Sequence, residues 1–383
     1  LGNLATTLRH HGDKAEAVAS HRRALDLMTA LVHDVPDHAD YRQELARCHN
    51  NLGTTLMENG EAAAAHEQVM EALRQQIRLA ADFPTVPSYR VELARSHANL
   101  GVFLNDANPT SAESHFRAAQ AIQERLVADF PDVPAHAQDL ASTHNGLGNL
   151  LLDAGKLDAG EAELLEAVRM REQLARAHPQ IVQYAVELGG SCCNLGNGVL
   201  VNRQQPAGSL AWYGKAIDSL TTVLTAQPDL ATARAFLRNS YEGRYQALRL
   251  CGRIDEALLD VDRCLALCDG APRALLRLAR FEVLIGADNE RAMAELDRVA
   301  GEPTTPDATL VHGVVVLCQA ASADESAPAR STYKKRAMAL LEQLLQRGYL
   351  QPAANRERLR NEPGFGVLRE QDEFWELLER AEK

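Results

Sequence analysis

The stretch ARSHANLGVFL, residues 94–104, sets Gly101 in the middle of an amphipathic helical pattern. Glycine inside a helix costs roughly 1 kcal/mol relative to alanine, so its presence there needs a packing or functional reason. The same pattern stands in ARCHNNLGTTL around Gly53, in ASTHNGLGNLL around Gly148 and in GSCCNLGNGVL around Gly196. These glycines follow one another at 48, 47 and 48 residues, and a nearly constant interval of that length marks a repeat architecture.

Each period also carries a proline: Pro36, Pro84, Pro131, Pro179 and Pro228, spaced 48, 47, 48 and 49 residues apart. Proline breaks a helix interior and is tolerated in linkers and first turns, so these residues mark the repeat boundaries. A second stop falls halfway, at Gly12, Gly60, the run NDANPTS and Gly155. The unit is therefore helix, short turn, helix, proline. The second helix holds a small residue at a fixed phase, Ala24, Ala72, Ala119, Ala167 and Ala216. Small residues recur where helices cross closely, so Gly53, Gly101, Gly148 and Gly196 on the first helices and Ala72, Ala119 and Ala167 on the second are the expected packing positions.

Composition agrees with helices. Aromatic residues make up 5% of the 383-residue chain, and no sustained Val/Ile/Thr alternation supports strands. A formal net charge of −12 argues against phosphate backbones and anionic membranes as principal partners. The longest apolar run, LVHGVVVLCQAA, is interrupted by His312 and Gly313 and is too short to span a bilayer. Seven cysteines scattered along helical segments suggest reduced thiols and a cytoplasmic setting rather than a disulfide framework. The opening LGNLATTL aligns with NNLGTTL only if Leu1 already lies inside a helix, which leads us to expect a preceding segment.

The spacing Leu147-Gly148-x-x-Leu151…Gly155…Gly160-x-x-x-Leu164-x-x-Ala167 resembles the tetratricopeptide repeat, lengthened from 34 residues to about 48. That resemblance implies an all-α fold, a right-handed superhelical solenoid of antiparallel helix pairs. Five long copies fit residues 1–228, the first truncated, and degenerate helix pairs fit residues 229–348. Residues 349–383 lose the period. There Phe365, Leu368, Phe374, Trp375 and Leu378 are suited to cover the open end of a stack. The longer motif ADFPxVPxYRxELARSHxNLG, with this ending, looks like the C-terminal half of bacterial eukaryotic-type serine/threonine protein kinases, especially those of planctomycetes. It implies a catalytic domain upstream of Leu1, not chemistry within these residues.

The chain itself lacks a glycine-rich phosphate loop with its lysine strand, a His-Arg-Asp loop and an Asp-Phe-Gly motif, so no catalytic residues are assigned. His49, His97 and His144 recur at the repeat interval, with Cys192 in the fourth place. Helix axes pack about 8–10 Å apart whereas zinc needs donors at about 2 Å, so residues on successive repeats cannot share one ion. They read instead as side chains hydrogen-bonded between helices. Cys251, Cys264 and Cys268, without a nearby histidine, form an incomplete tetrahedral set and read as packed thiols. No metal and no cofactor is expected.

Binding chemistry is left to the first-helix positions Arg47, Asn50, Thr54, Arg95, Asn145, Asn149 and Asn197. In tetratricopeptide proteins the corresponding positions line a concave groove that holds an extended peptide, and amide and guanidinium groups suit backbone and carboxylate recognition. The other reading is a solvated helix face. The functional expectation is a non-catalytic protein–protein interaction scaffold, the sensor or substrate-docking region of a serine/threonine kinase. The alternative is a stand-alone structural or self-association module.

Overall fold

A computed structural model describes residues 14–268, 272–324, 326–361 and 363–382, and every described regular element is helical. The truncated helix read from LGNLATTL and its stop at Gly12 lie outside the described residues. Packing divides the chain into two compact units, one ending at Gln204 and one beginning at Gln205.

In the first unit α1 (Lys14–Asp34), α3 (Ala62–Asp82), α5 (Pro109–Asp129) and α7 (Leu157–Ala177) are second helices of their repeats. They alternate with the first helices α2 (Ala39–Glu58), α4 (Pro87–Leu104), α6 (Pro134–Asp153) and α8 (Val182–Asn197). Each helix packs on its neighbours in sequence, and α4–α6 and α6–α8 also touch.

The prolines explain where second helices stop. A residue before proline is pushed out of the α region, and Phe83, Phe130 and His178 accordingly leave the helix at φ −130°, −135° and −132°. The exiting ring then packs on the next first helix, Phe83 on Tyr89 with centroids 5.7 Å apart, Phe130 on His136 at 6.0 Å and His178 on Tyr184 at 6.0 Å. Ion pairs at equivalent places tie the two ends of a repeat, Arg42 to Asp82 and Arg90 to Asp129, each at 2.8 Å.

The turns at Gly60 and Gly155 use a left-handed residue, at φ 83° and 75°, whereas the turn between Asn105 and Asn108 has none. Gln204 holds the same place at φ 55°. Gly155 and Gln204 are 49 residues apart although Gly148 and Gly196 are 48 apart, so one extra residue enters between Gly196 and Gln204. It is absorbed at the end of α8, where Gly198–Asn202 form a π turn with the Arg203 N–H donating to the Gly198 carbonyl at 3.2 Å. A turn closed over five residues rather than four takes up one insertion without breaking the helix.

The repeat glycines are packing positions. A Cβ on Gly53 would stand 2.6 Å from Val69, and one on Gly101 2.8 Å from the Phe116 ring. One on Gly148 would stand 2.7 Å from Leu164, and Gly196 is buried on α8. Ala72, Ala119 and Ala167 on the second helices are fully buried. The preceding leucines, Leu52, Leu100, Leu147 and Leu195, are between 0% and 3% exposed and form the apolar seam. Truncating one of them to alanine costs about 2–5 kcal/mol by the usual cavity rule.

The second unit continues with α9 (Pro206–Ala226), α10 (Ala231–Leu250), α11 (Ile254–Leu267), α12 (Pro272–Leu284), α13 (Asn289–Gly301), α14 (Asp307–Ala323) and α15 (Ala327–Gln346). Within the stretch 229–348 read as degenerate helix pairs, α12 packs with α13 and α14 with α15. In the pair before them the first helix is full-length at 20 residues and the second shortens to 14. The chain ends in α16 (Ala353–Asn361), a 3-10 turn at Pro363–Phe365 and α17 (Asp372–Arg380). Phe365, Leu368, Phe374 and Leu378 are buried, the turn packing on α14 and α17 on α15. Trp375 departs from that set. It is 41% exposed, and its indole N–H donates to the Arg369 carbonyl at 3.0 Å.

Candidate functional site: the first-helix faces

In the first unit three of the seven first-helix positions, Asn50, Arg95 and Asn145, bond to the neighbouring first helix. The Asn50 amide donates to Ser96 Oγ on the next first helix at 2.9 Å, and Arg95 Nε donates to Asp139 on the one after at 3.2 Å. Asn145 Oδ1 accepts from Ser191 Oγ at 2.9 Å and from Asn194 Nδ2 at 3.2 Å. Arg47 pairs with Glu44 on its own helix at 2.7 Å, and the Thr54 hydroxyl donates to the Asn50 carbonyl at 3.0 Å. Asn149 is half-buried and Asn197 exposed.

Beneath Asn145 the network reaches Arg171 of α7, only 7% exposed. Its guanidinium donates to Ser191 Oγ, to Ser142 Oγ at 3.2 Å and to the Glu187 carbonyl at 3.0 Å. Burial lowers the Arg171 pKa from its ordinary value, and Glu187 opposes that. Glu187 is itself held by the Gln138 amide at 3.0 Å and the Gln183 amide at 2.9 Å. Sequence reasoning missed Arg171 because its partners lie on two other helices. The one available clue is its register with the buried Gln76 and Gln123, since Gln76, Gln123 and Arg171 follow one another at 47 and 48 residues.

The recurring histidines bridge the two helices of their own repeats. His49 Nδ1 lies 2.9 Å from Gln68 Oε1, His97 Nδ1 3.0 Å from His115 Nδ1, and His144 Nδ1 2.6 Å from Glu163 Oε2. Burial and the neighbouring His115 push His97 down to about 4. Burial alone would raise the Glu163 carboxyl, but the bonds from His144 and Arg117 carry it below its usual range. Cys264 is buried with its thiol 3.5 Å from the Arg238 carbonyl, and burial pushes its pKa up, leaving an inert thiol. Among the described residues no group of three or more His, Cys, Asp and Glu is placed to hold a metal ion.

Open recesses lie instead on the first helices of the second unit. One of about 620 Å³ is walled by Arg238, Glu242 and Gln246 of α10, Ala279 and Glu282 of α12 and His312 of α14. A second of about 540 Å³ is walled by Arg249, Glu282, Ile285, Val316 and Gln319, with Asp324 and Tyr333 at its edge. Glu282 belongs to both walls, so the two recesses adjoin, and together they form an interrupted trough across α10, α12 and α14. At the junction His312 Nε2 stands 2.7 Å from Glu282 Oε1. That bond raises the His312 pKa above its ordinary value, and burial opposes it. The walls mix amides and charges of both signs over an apolar floor, a chemistry that can grip a peptide backbone at several points.

The tetratricopeptide repeat family model matches residues 1–40. Among solved structures the chain is similar to BtubC (BKLC) from P. vanneervenii, with a TM-score of 0.51 at 15% identity over 66% of this chain and 90% of that one. It is also similar to a tetratricopeptide repeat protein from Parabacteroides merdae ATCC 43184, with a TM-score of 0.37 at 13% identity over 80% of this chain and 93% of that one. No curated protein matches the chain in sequence. The fold is that of an all-α tetratricopeptide-type helical solenoid. Among the described residues no helix is long and apolar enough to cross a membrane.

Proposed function

We propose that the chain is a non-catalytic protein–protein interaction scaffold that takes an extended segment of a partner protein along the trough of α10, α12 and α14. The observation that carries this reading is the junction at Glu282, where two recesses on consecutive first helices meet with amide and charged groups on both sides. In the first unit Asn50, Arg95 and Asn145 are tied across neighbouring repeats, which favours the second unit for binding.

Peptide display against the whole chain, followed by calorimetry of a selected peptide, tests it. Gln246→Ala with Gln319→Ala should weaken a selected peptide about 10-fold or more, while Asn50→Ala should leave it unchanged. Equal affinity in both variants removes the trough.

The finer reading places this scaffold as the sensor or substrate-docking arm of a serine/threonine kinase in the cytoplasm. It is supported by the ADFPxVPxYRxELARSHxNLG motif and by seven free thiols. The reading frame upstream of Leu1 decides it. A glycine-rich loop and a His-Arg-Asp motif there support the kinase arm, and a frame without them removes it.

A further inference from the structure

Away from the trough, α10 and α11 enclose a recess of about 290 Å³ walled by Arg244, Arg253 and Arg263, two carboxylates and Leu210 and Leu259. One carboxylate, Asp260, is 1% exposed and shared by two guanidiniums. Arg244 donates Nε and Nη2 to it at 2.7 and 2.8 Å, and Arg263 donates Nη1 at 3.0 Å. Both guanidiniums also lie over the Tyr241 ring, 5.6 and 5.4 Å from its centroid. Arg253 forks onto Glu256 at 2.7 and 2.6 Å. Asp218 of α9 acts on Arg244 from outside the recess wall.

We propose that this recess is an oxyanion site for a phosphate monoester, with the ester's apolar part against Leu210 and Leu259. The wall itself sets three guanidiniums against two carboxylates, and the third carboxylate that acts on Arg244, Asp218, stands outside it. A guanidinium has five N–H donors. Among the described residues Arg244 Nη1 and Arg263 Nε and Nη2 make no bond to protein, so donors remain for an incoming anion. The buried Asp260 and the Tyr241 ring hold the two guanidiniums in place before anything binds, which lowers the ordering cost of recognition. Arginine forks match the geometry of phosphate oxygens, and Leu259, 51% exposed beside them, offers apolar contact to whatever carries the group.

The test is thermal unfolding of the whole chain with inorganic phosphate and with phenyl phosphate, each against chloride at matched ionic strength. Both should raise the melting temperature saturably, phenyl phosphate at a concentration several-fold lower. Arg263→Gln, which leaves the Arg244–Asp260 fork in place, should weaken the half-saturation at least 10-fold, as should Arg253→Gln. Circular dichroism of both variants should match the parent. No phosphate effect beyond chloride, or the same effect in both arginine variants, overturns the site. Phenyl phosphate no better than phosphate removes the apolar wall. Peptide binding in the trough is measured separately, so the two assignments fail independently.

Discussion

Gly148 of α6 and Gly160 of α7 oppose each other so closely that a Cβ on Gly148 would stand 2.9 Å from the Gly160 carbonyl oxygen, and one on Gly160 2.8 Å from that of Gly148. Neither backbone can yield without parting the helices. Gly148→Leu should therefore cost on the order of 1–3 kcal/mol in urea unfolding, the usual range for overpacking. Gly160→Ala should also destabilise, and the double variant should cost less than the sum, because helices already parted leave room for the second side chain. Additive costs would mean the two residues do not share one contact.

That contact was legible in the sequence because the repeat interval isolates Gly148, and Leu147, Leu164 and Ala167 then fall at buried phases. The stop before each proline was legible for the same reason, being a local effect of Pro84, Pro131 and Pro179 on the residue ahead. The Asn145–Ser191–Arg171 network was not, since its members lie 46 and 20 residues apart on three helices and no local pattern joins them. The trough was missed because the glycine interval runs out across it: α10 keeps Gly243, 47 residues after Gly196, but α12 has no glycine and Gly313 of α14 lies 70 residues further on. Its signal is the row Arg238, Glu242 and Gln246 at one-turn steps beside the buried row Leu237, Tyr241 and Tyr245. Of the face positions legible from the marked repeats, Asn50, Arg95 and Asn145 bond to the neighbouring first helix.

Gln204 occupies a left-handed turn position that glycine fills in the equivalent turns at Gly60 and Gly155. A residue with a Cβ pays about 1–2 kcal/mol there. Glycine regains that but adds about 0.4–1 kcal/mol of unfolded-state entropy. Gln204→Gly should thus stabilise by a net of about 0.5–1 kcal/mol, read as a higher urea midpoint with an unchanged slope. A lower midpoint would contradict the turn assignment.

The His97–His115 pair and the His312–Glu282 pair should respond to pH in opposite directions. One ring of the first pair must keep a bare Nδ1 to accept from the other, and protonating both breaks the bond; His97 is held at about 4. The unfolded chain then binds protons more readily, so this pair's stability is lost as pH falls from about 6.5 towards 4. His312 is raised by Glu282, so its contribution is full below about 6.5 and is lost as pH rises through the higher folded value. Urea midpoints against pH should flatten on the acid side in His97→Gln and above neutrality in His312→Gln. Curves parallel to the parent would rule out both couplings.

Removing the Ser191 hydroxyl leaves the buried Arg171 short of an acceptor. Ser191→Ala should cost about 1–3 kcal/mol, the price of an unsatisfied buried group. In an Arg171→Met background the same change should cost well under half as much, because the stranded charge is gone. A double-mutant cycle with no coupling would show that the serine acts elsewhere.

Amide hydrogen exchange of the whole chain with and without a display-selected peptide tests the scaffold assignment most directly. Protection should rise in α10, α12 and α14, strongest around Gln246, Glu282 and His312, with α2, α4 and α6 unchanged. Protection confined to the first helices of the other unit, or to second helices in either, would contradict it.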